Sequence, residues 1–368
     1  MLTRRAVNRA YLERQLLLNR HDMTVQEALR RLAGLQAQTT HSWYLGLWSR
    51  LADYRPERTG VLLEEREAVR MALMRSTIHL VTPEDCLWLR PLVEPVIERM
   101  TRAVFGRALD GLTRVELEVA ARELFAEGEA LTFSELGRRL ADRWPDRDPA
   151  SLAQMVRAFV PLVQVPPRGV WGRSGPAAHL PVEQWLGRPV AADAKLETLV
   201  LRYLAAFGPA TVRDIQHWSG LTRLGEVVQR LLGELVVDRD ETGRELYDLP
   251  DAPRPSEDTP APVRFIYEFD NLLRSHADVS RVCTVDYSAH GFTARSGKDP
   301  EVVLVDGFVA ATWQLAVKRG TATLAIRPFR AFTNAEKHAV LAEAEEMVAF
   351  SAPRAKARDV VLERAVAG

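Results

Sequence analysis

The sequence predicts an α+β fold, and three observations carry that reading. A Thr-x-x-Glu/Asp pattern recurs at Thr24, Thr132 and Thr211, each time followed by apolar residues at helical spacing. After the second and third copies come another helical pattern and then short β-rich runs around a turn. Beyond a proline-rich stretch at 250–262 the chain changes to β-type runs joined by tight turns.

Taken in order, Ala6 to Asn19 reads as a helix. Thr24 with Glu27 forms a capping box, in which the hydroxyl accepts from an orphan N–H and the acid reaches back to the cap. The helix it opens places Val25, Ala28, Leu29 and Leu32 on one face and stops near Gly34. "AVRMALMRSTIHLV", at 68–81, reads as a wing strand or strand pair. Thr132 opens a helix to about Trp144, and another spans about Ser151 to Val160. The wing that follows is interrupted by Pro166 and Pro167, which cannot sit in a central strand. Thr211 opens a helix ending near Ser219-Gly220; its box uses the weaker Asp214. The next helix carries Leu224, Val227, Val228, Leu231 and Leu232. Short strands at Leu235–Val237 and Leu246–Leu249 then flank a polar turn at 241–243. Helix, turn, helix, hairpin is the winged-helix order. The expectation is three tandem winged-helix units, at 1–115, 116–190 and 191–250.

Region 251–368 begins with five prolines in 13 residues, a linker or extended crossing segment. Val302–Val305, a turn at Asp306-Gly307, Phe308–Val317, a tight turn at Lys318-Arg319-Gly320 and Thr321–Ile326 form a meander, expected as a small barrel or curled sheet. An amphipathic helix capped at Thr333 or Asn334 follows.

The totals bound the function. A chain of 368 residues, 47% hydrophobic and 27% charged, has the profile of a soluble globular protein of two to three domains. Lys+Arg and Asp+Glu are both 49, so a polyanion must be met by a local patch. Only five of the cations are lysines, leaving 44 arginines. That excess suits bidentate phosphate contacts and equally a GC-rich genome. Cys86 and Cys283 form no CxxC and no Cys/His cluster, which argues against a zinc site and a disulfide framework. No metal or cofactor is expected. The N-terminus lacks a signal-type apolar stretch and no run is long enough to span a bilayer, so a cytoplasmic protein is expected.

"GLQAQTTHS", at 34–42, holds the most distinctive pair. On a continuing helix Gln36 and Gln38 would point roughly 200° apart; on an extended segment they point the same way. Gly34 and the polar run after Gln38 favour the extended form, with both amides facing one cavity. On spacing alone, capping or bridging neighbouring backbone is the ordinary role of such a pair. Alternation places Thr77 and His79 on one face of a strand, and a lone His there is ordinarily a satisfied, partly buried residue. Asp270, with His276, Asp278 and Arg281, could join a polar cluster or serve turns and caps. The Lys318-Arg319 tip, with Arg327 and Arg330 beyond it, could meet phosphates. No Gly-rich phosphate loop, nucleophile elbow or HExxH motif occurs.

"LAGLQAQTTHSWYLGLWSRL", "MRSTIHLVTPEDCLWLRP", "QVPPRGVWGRSG", "FDNLLRSHADVSRV" and "VDGFVAATW" together resemble the winged-helix DNA glycosylases of the AlkZ/YcaQ type, over nearly the whole chain. The resemblance implies three winged helices around a concave DNA channel, with a C-terminal β-rich domain. It implies hydrolysis of the N-glycosidic bond of N7-alkylated purines. The family's Gln-apolar-Gln signature falls on Gln36, Ala37 and Gln38, with His41, His79, Thr77 and Asp270 as possible neighbours. Two glutamines, rather than an acid-containing variant, match the branch associated with unhooking interstrand crosslinks. The implied partner is double-stranded alkylated or crosslinked DNA, read by Lys318, Arg319 and Arg327, with a monomeric enzyme and no obligate protein partner or membrane. The competing expectation is a non-catalytic winged-helix DNA-binding regulator; an interaction scaffold is a third.

Overall fold

A computed structural model of the chain describes residues 1–286 and 300–365. Thr24, Thr132 and Thr211 each cap a helix, over Val25–Arg31, Phe133–Ala141 and Val212–Ser219, and both halves of the box form in all three. Asp214 therefore serves as well as the glutamates. Its other oxygen accepts from the Ala277 N–H at 3.0 Å, tying this helix to a distant segment. The first helix is shorter than expected. It covers Arg4–Arg14, and Leu16 has a φ of 57°, which a continuing helix cannot accommodate.

Six strands form one antiparallel sheet across the first half of the chain: β1 (Leu35–Gln36), β2 (Val69–Ala72), β3 (Ile78–Val81), β4 (Leu131–Thr132), β5 (Leu162–Gln164) and β6 (Ala178–Pro181). Their order is β1-β3-β2-β5-β6-β4, every pairing antiparallel. The β2–β3 hairpin and the β5–β6 pair are joined edge to edge, Arg70 opposite Gln164 and Met71 opposite Val163. β5 ends before Pro166, as the missing proline N–H requires. Helices at Leu196–Phe207, Val212–Ser219 and Leu224–Arg230 precede a separate hairpin of β7 (Val236–Arg239) and β8 (Glu245–Asp248).

The C-terminal strands do not close into a barrel. β9 (Arg264–Ile266), β10 (Val302–Val305), β11 (Phe308–Lys318), β12 (Thr321–Pro328) and β13 (Ala357–Leu362) form an open sheet in the order β13-β12-β11-β10-β9. Helix Asn334–Ser351, capped by Thr333, carries the chain from β12 to a parallel β13 and buries Val340, Ala344, Met347 and Val348. A helix covering the sheet removes the apolar reason for closure. Both turns of the meander are two-residue turns with positive φ at each position, Asp306-Gly307 (50°, 80°) and Arg319-Gly320 (51°, 85°). This matches the twist of the flanking strands.

Two apolar cores run through these elements. One links Tyr11 and Leu12 to β2, β3 and the helices of the middle of the chain; the other links Leu29, Leu35 and Trp43 to the C-terminal sheet. Leu35 and its neighbour β3 sit where the two meet.

Candidate active site

Gly34 sets the geometry of the Gln36–Gln38 segment. Its φ is 82°, and a Cβ there would lie 2.5 Å from Val81 Cγ1 and 2.9 Å from the Leu80 carbonyl. Glycine alone lets the chain turn out of its helix and lie directly on β3. Leu35 then pairs with Leu80 and Gln36 with His79, and the Ala37 N–H donates to the Ile78 carbonyl at 2.7 Å. The expected extended segment forms here.

Three side chains from two distant parts of the chain donate to carbonyls of this segment. Asn271 Nδ2 donates to the Leu32 and Gly34 carbonyls (3.2 and 2.7 Å). The Tyr267 hydroxyl donates to the Gln36 carbonyl (2.9 Å), and Arg70 Nη2 donates to those of Ala37 (2.9 Å) and Thr39 (3.2 Å). Arg70 is buried, and among the described residues no carboxylate is a hydrogen-bond partner. Burial, reinforced by nearby Arg168, pulls its pKa down to about 10, so it stays charged at neutral pH.

The two amides differ in exposure. Gln36 is 2% exposed, whereas Gln38 lies open to solvent. Both turn toward the β2–β3 turn. Arg75 Nη2 donates to Gln36 Oε1 at 2.9 Å, and the Ile78 N–H donates to Gln38 Oε1 at 3.1 Å. Both partners are donors only, so each contact must involve the amide oxygen, and the orientation of both amides is fixed by chemistry. Each carbonyl keeps a second lone pair. The turn is itself strained: Arg75 and Ser76, neither a glycine, have φ of 53° and 61°. Each such residue costs about 1–2 kcal/mol. Arg157 holds the turn through the Ser76 carbonyl and hydroxyl, and Arg75 Nη1 donates to the Trp218 carbonyl at 2.6 Å.

The other expected residues separate. Thr77 lies in the turn rather than on the strand, its hydroxyl bonded to the Met74 carbonyl. His79 is buried opposite Gln36. Its Nδ1 lies 3.0 Å from the Thr77 carbonyl and therefore carries the proton, and its Nε2 has no partner among the described residues. Burial, with the neighbouring Arg75 charge second, lowers its pKa to about 3, so it is a neutral imidazole at physiological pH. His41 lies beside the Tyr44 and Trp171 rings, its Nε2 3.3 Å from the Val170 carbonyl. Asp270 does not face the amides. It forms a fully buried bidentate pair with Arg50 (2.8 and 2.7 Å) and caps the short helix that presents Asn271. Lys318 and Arg319 stand exposed at the β11–β12 tip with no ion-pair partner among the described residues, whereas Arg327 is paired at 2.9 Å with Glu363, the residue just past the end of β13. Sequence reasoning missed Arg75, Arg70 and Tyr267. Each acts across 31 residues or more, and no local pattern marks it.

Among the described residues no group of three or more His, Cys, Asp and Glu side chains is arranged to hold a metal ion, and no helix is long and apolar enough to cross a membrane.

A family model described as DNA glycosylase AlkZ-like matches residues 29–350. An interstrand DNA cross-link repair glycosylase of Streptomyces sahachiroi is 26% identical over 353 residues, covering 86% of this chain and 88% of that protein. The solved structure of the Streptomyces sahachiroi DNA glycosylase AlkZ matches with a TM-score of 0.74 at 20% identity, covering 98% of this chain and 100% of that one. At that identity the likeness speaks for the fold.

The buried His79 makes stability pH-dependent. Its folded pKa lies below the ordinary value of 6.5, so its contribution is fully present above about pH 6.5 and is lost as pH falls toward 3. Between pH 7 and 5 this amounts to about 2 kcal/mol. Denaturant unfolding at both pH values should show His79→Gln losing that much less stability than the parent; equal losses would contradict the buried neutral assignment.

Proposed function

Because the chain belongs to the AlkZ-like DNA glycosylase family, we propose that it hydrolyses the N-glycosidic bond of N7-alkylated purines in double-stranded DNA, bulky interstrand crosslinks included. The name of its Streptomyces relative supports the crosslink reading. The observation that carries the chemistry is the pair of amides at 36 and 38, turned to one strained turn with both carbonyl oxygens oriented by fixed donors.

Alkylation at N7 leaves the guanine cationic, so the base departs with little acid assistance and the transition state resembles an oxocarbenium ion. What the protein must add is a placed water. The second lone pair of a Gln carbonyl accepts a water O–H, as a GTPase glutamine does. The water oxygen then bonds to the anomeric carbon. The carbon–nitrogen bond breaks, its electron pair neutralises the purine, and the spare water proton passes to solvent. Gln38, the exposed amide, is the one that reaches the water; Gln36 lies behind it. No covalent enzyme intermediate is needed, and the enzyme acts as a monofunctional hydrolase.

We read residues 1–115, 116–190 and 191–250 as three winged-helix units forming a concave channel, with 251–368 as the β-rich C-terminal part. A bulky crosslink resists flipping into a closed pocket, so an open channel suits it better. The exposed Lys318-Arg319 tip supplies phosphate contacts; Arg327, already paired with Glu363, contributes less. Monomeric action in the cytoplasm, without an obligate protein partner, completes the reading.

Single-turnover release of base from N7-alkylguanine DNA tests the assignment. Gln38→Ala should slow excision by roughly 10- to 1000-fold, with DNA affinity unchanged. Gln36→Ala should slow it similarly and also lower stability, because it strands the Arg75 donor at about 1–3 kcal/mol. Full-rate excision by both variants would remove the amides from the chemistry.

Replacing Lys318 and Arg319 together by alanine should weaken binding to damaged and undamaged duplexes alike. The slope of log affinity against log salt should flatten by roughly one unit per lost phosphate contact. An unchanged slope would exclude the hairpin from the DNA interface.

A further inference from the structure

Resting on the glycosylase reading, we propose that Arg75 is a positioning residue. It orients the Gln36 amide and makes that orientation depend on the helix ending at Ser219. The observations are geometric. Arg75 sits at the tip of the β2–β3 hairpin in a left-handed conformation that arginine rarely adopts, and Ser76 beside it does the same. That conformation aims one guanidinium arm at Gln36 Oε1 (2.9 Å) and the other at the Trp218 carbonyl (2.6 Å). Trp218 belongs to the helix Val212–Ser219, more than 140 residues away. Gly220, which ends that helix in a left-handed cap, lies against the same tip: a Cβ there would be 2.7 Å from Val96 Cγ1 and 3.7 Å from the Arg75 Cα. Arg157 holds the turn from the other side.

A planar fork with several fixed donors suits a bridge between two carbonyl oxygens; a single ammonium lacks that shape. By donating to one lone pair of Gln36 Oε1, Arg75 determines where the other lone pair and the NH₂ group point. It also prevents the amide from flipping, which would place N–H groups against N–H groups. The tie to the Trp218 carbonyl means that the amide reaches this orientation only when the third helical unit is packed against the hairpin. The active centre is thus completed by a part of the chain that contributes no candidate catalytic group.

The test is a double-mutant cycle of Arg75→Ala and Gln36→Ala, with three readouts: single-turnover excision of N7-methylguanine from duplex DNA at saturating enzyme, duplex affinity, and thermal midpoint. Arg75→Ala should slow excision roughly tenfold or more while affinity stays within about twofold. The double variant should be no slower than the slower single variant, because Arg75 acts through Gln36. Multiplicative losses, a loss confined to affinity, or full-rate excision by Arg75→Ala would each overturn the inference while leaving the glycosylase reading intact. A parent protein that releases no base overturns both. If Arg75→Ala does not fold, the same cycle with Arg75→Lys decides, since the charge remains on a single donor nitrogen without the two-armed fork. Non-additivity with Gln36→Ala is again the supporting result, and additivity the contrary one.

Discussion

Everything at the candidate site depends on how the backbone of residues 32–39 is satisfied. This segment leaves a helix at Gly34 and pairs with β3 over only two residues, so most of its carbonyls have no ladder partner. Buried carbonyls without donors are costly. Here Asn271, Tyr267 and Arg70 supply the donors, each from a part of the chain distant in sequence. Asn271 is in turn fixed by the helix that Asp270 caps, and Asp270 is locked to Arg50 in a pair with no solvent exposure. Removing one member of such a pair leaves the other charge uncompensated. The Gln-Ala-Gln segment is therefore held by side-chain donors where its two-residue ladder ends.

The charges near the site are arginines, and the ring beside Gln36 is neutral. An amide dipole can aim a water without titrating, and a substrate that already carries positive charge on its leaving base needs no proton donor. On the N7-alkylpurine substrate proposed above, lesion chemistry and protein chemistry agree: alkylation would do the harder half of the reaction before the enzyme meets its substrate.

Local elements were legible in the sequence where a local rule fixes them. All three Thr-x-x-Glu/Asp boxes form, the β10–β11–β12 meander has the expected turns, and Gly34 ends its helix. The extended course of Leu35 and Gln36 follows from the same glycine. Missed features depend on non-local pairing. β13 has exposed and half-exposed residues with charges at Arg358 and Asp359, as suits an edge strand, so it shows no apolar alternation. The joining of β2 to β5 and the open form of the C-terminal sheet come from packing across the chain. So do the assignments of Asp270 to Arg50 and of Arg75 to Gln36. In the sequence Asp270 looked like a candidate for the site because it lies in a polar stretch; burial against Arg50 explains it instead. The two glutamines also looked equivalent, and only the fold distinguishes the buried one from the exposed one.

The central claim is that excision rests on neutral amides rather than on a titrating acid or base. The most direct measurement is the pH dependence of the single-turnover excision rate on N7-methylguanine duplex DNA, taken between about pH 6 and 8.5 with enzyme saturating. Amides do not ionise in that range and His79 is already neutral, so the account expects a flat profile. A sloping limb or a bell, reporting an essential ionisation within the range, would contradict it.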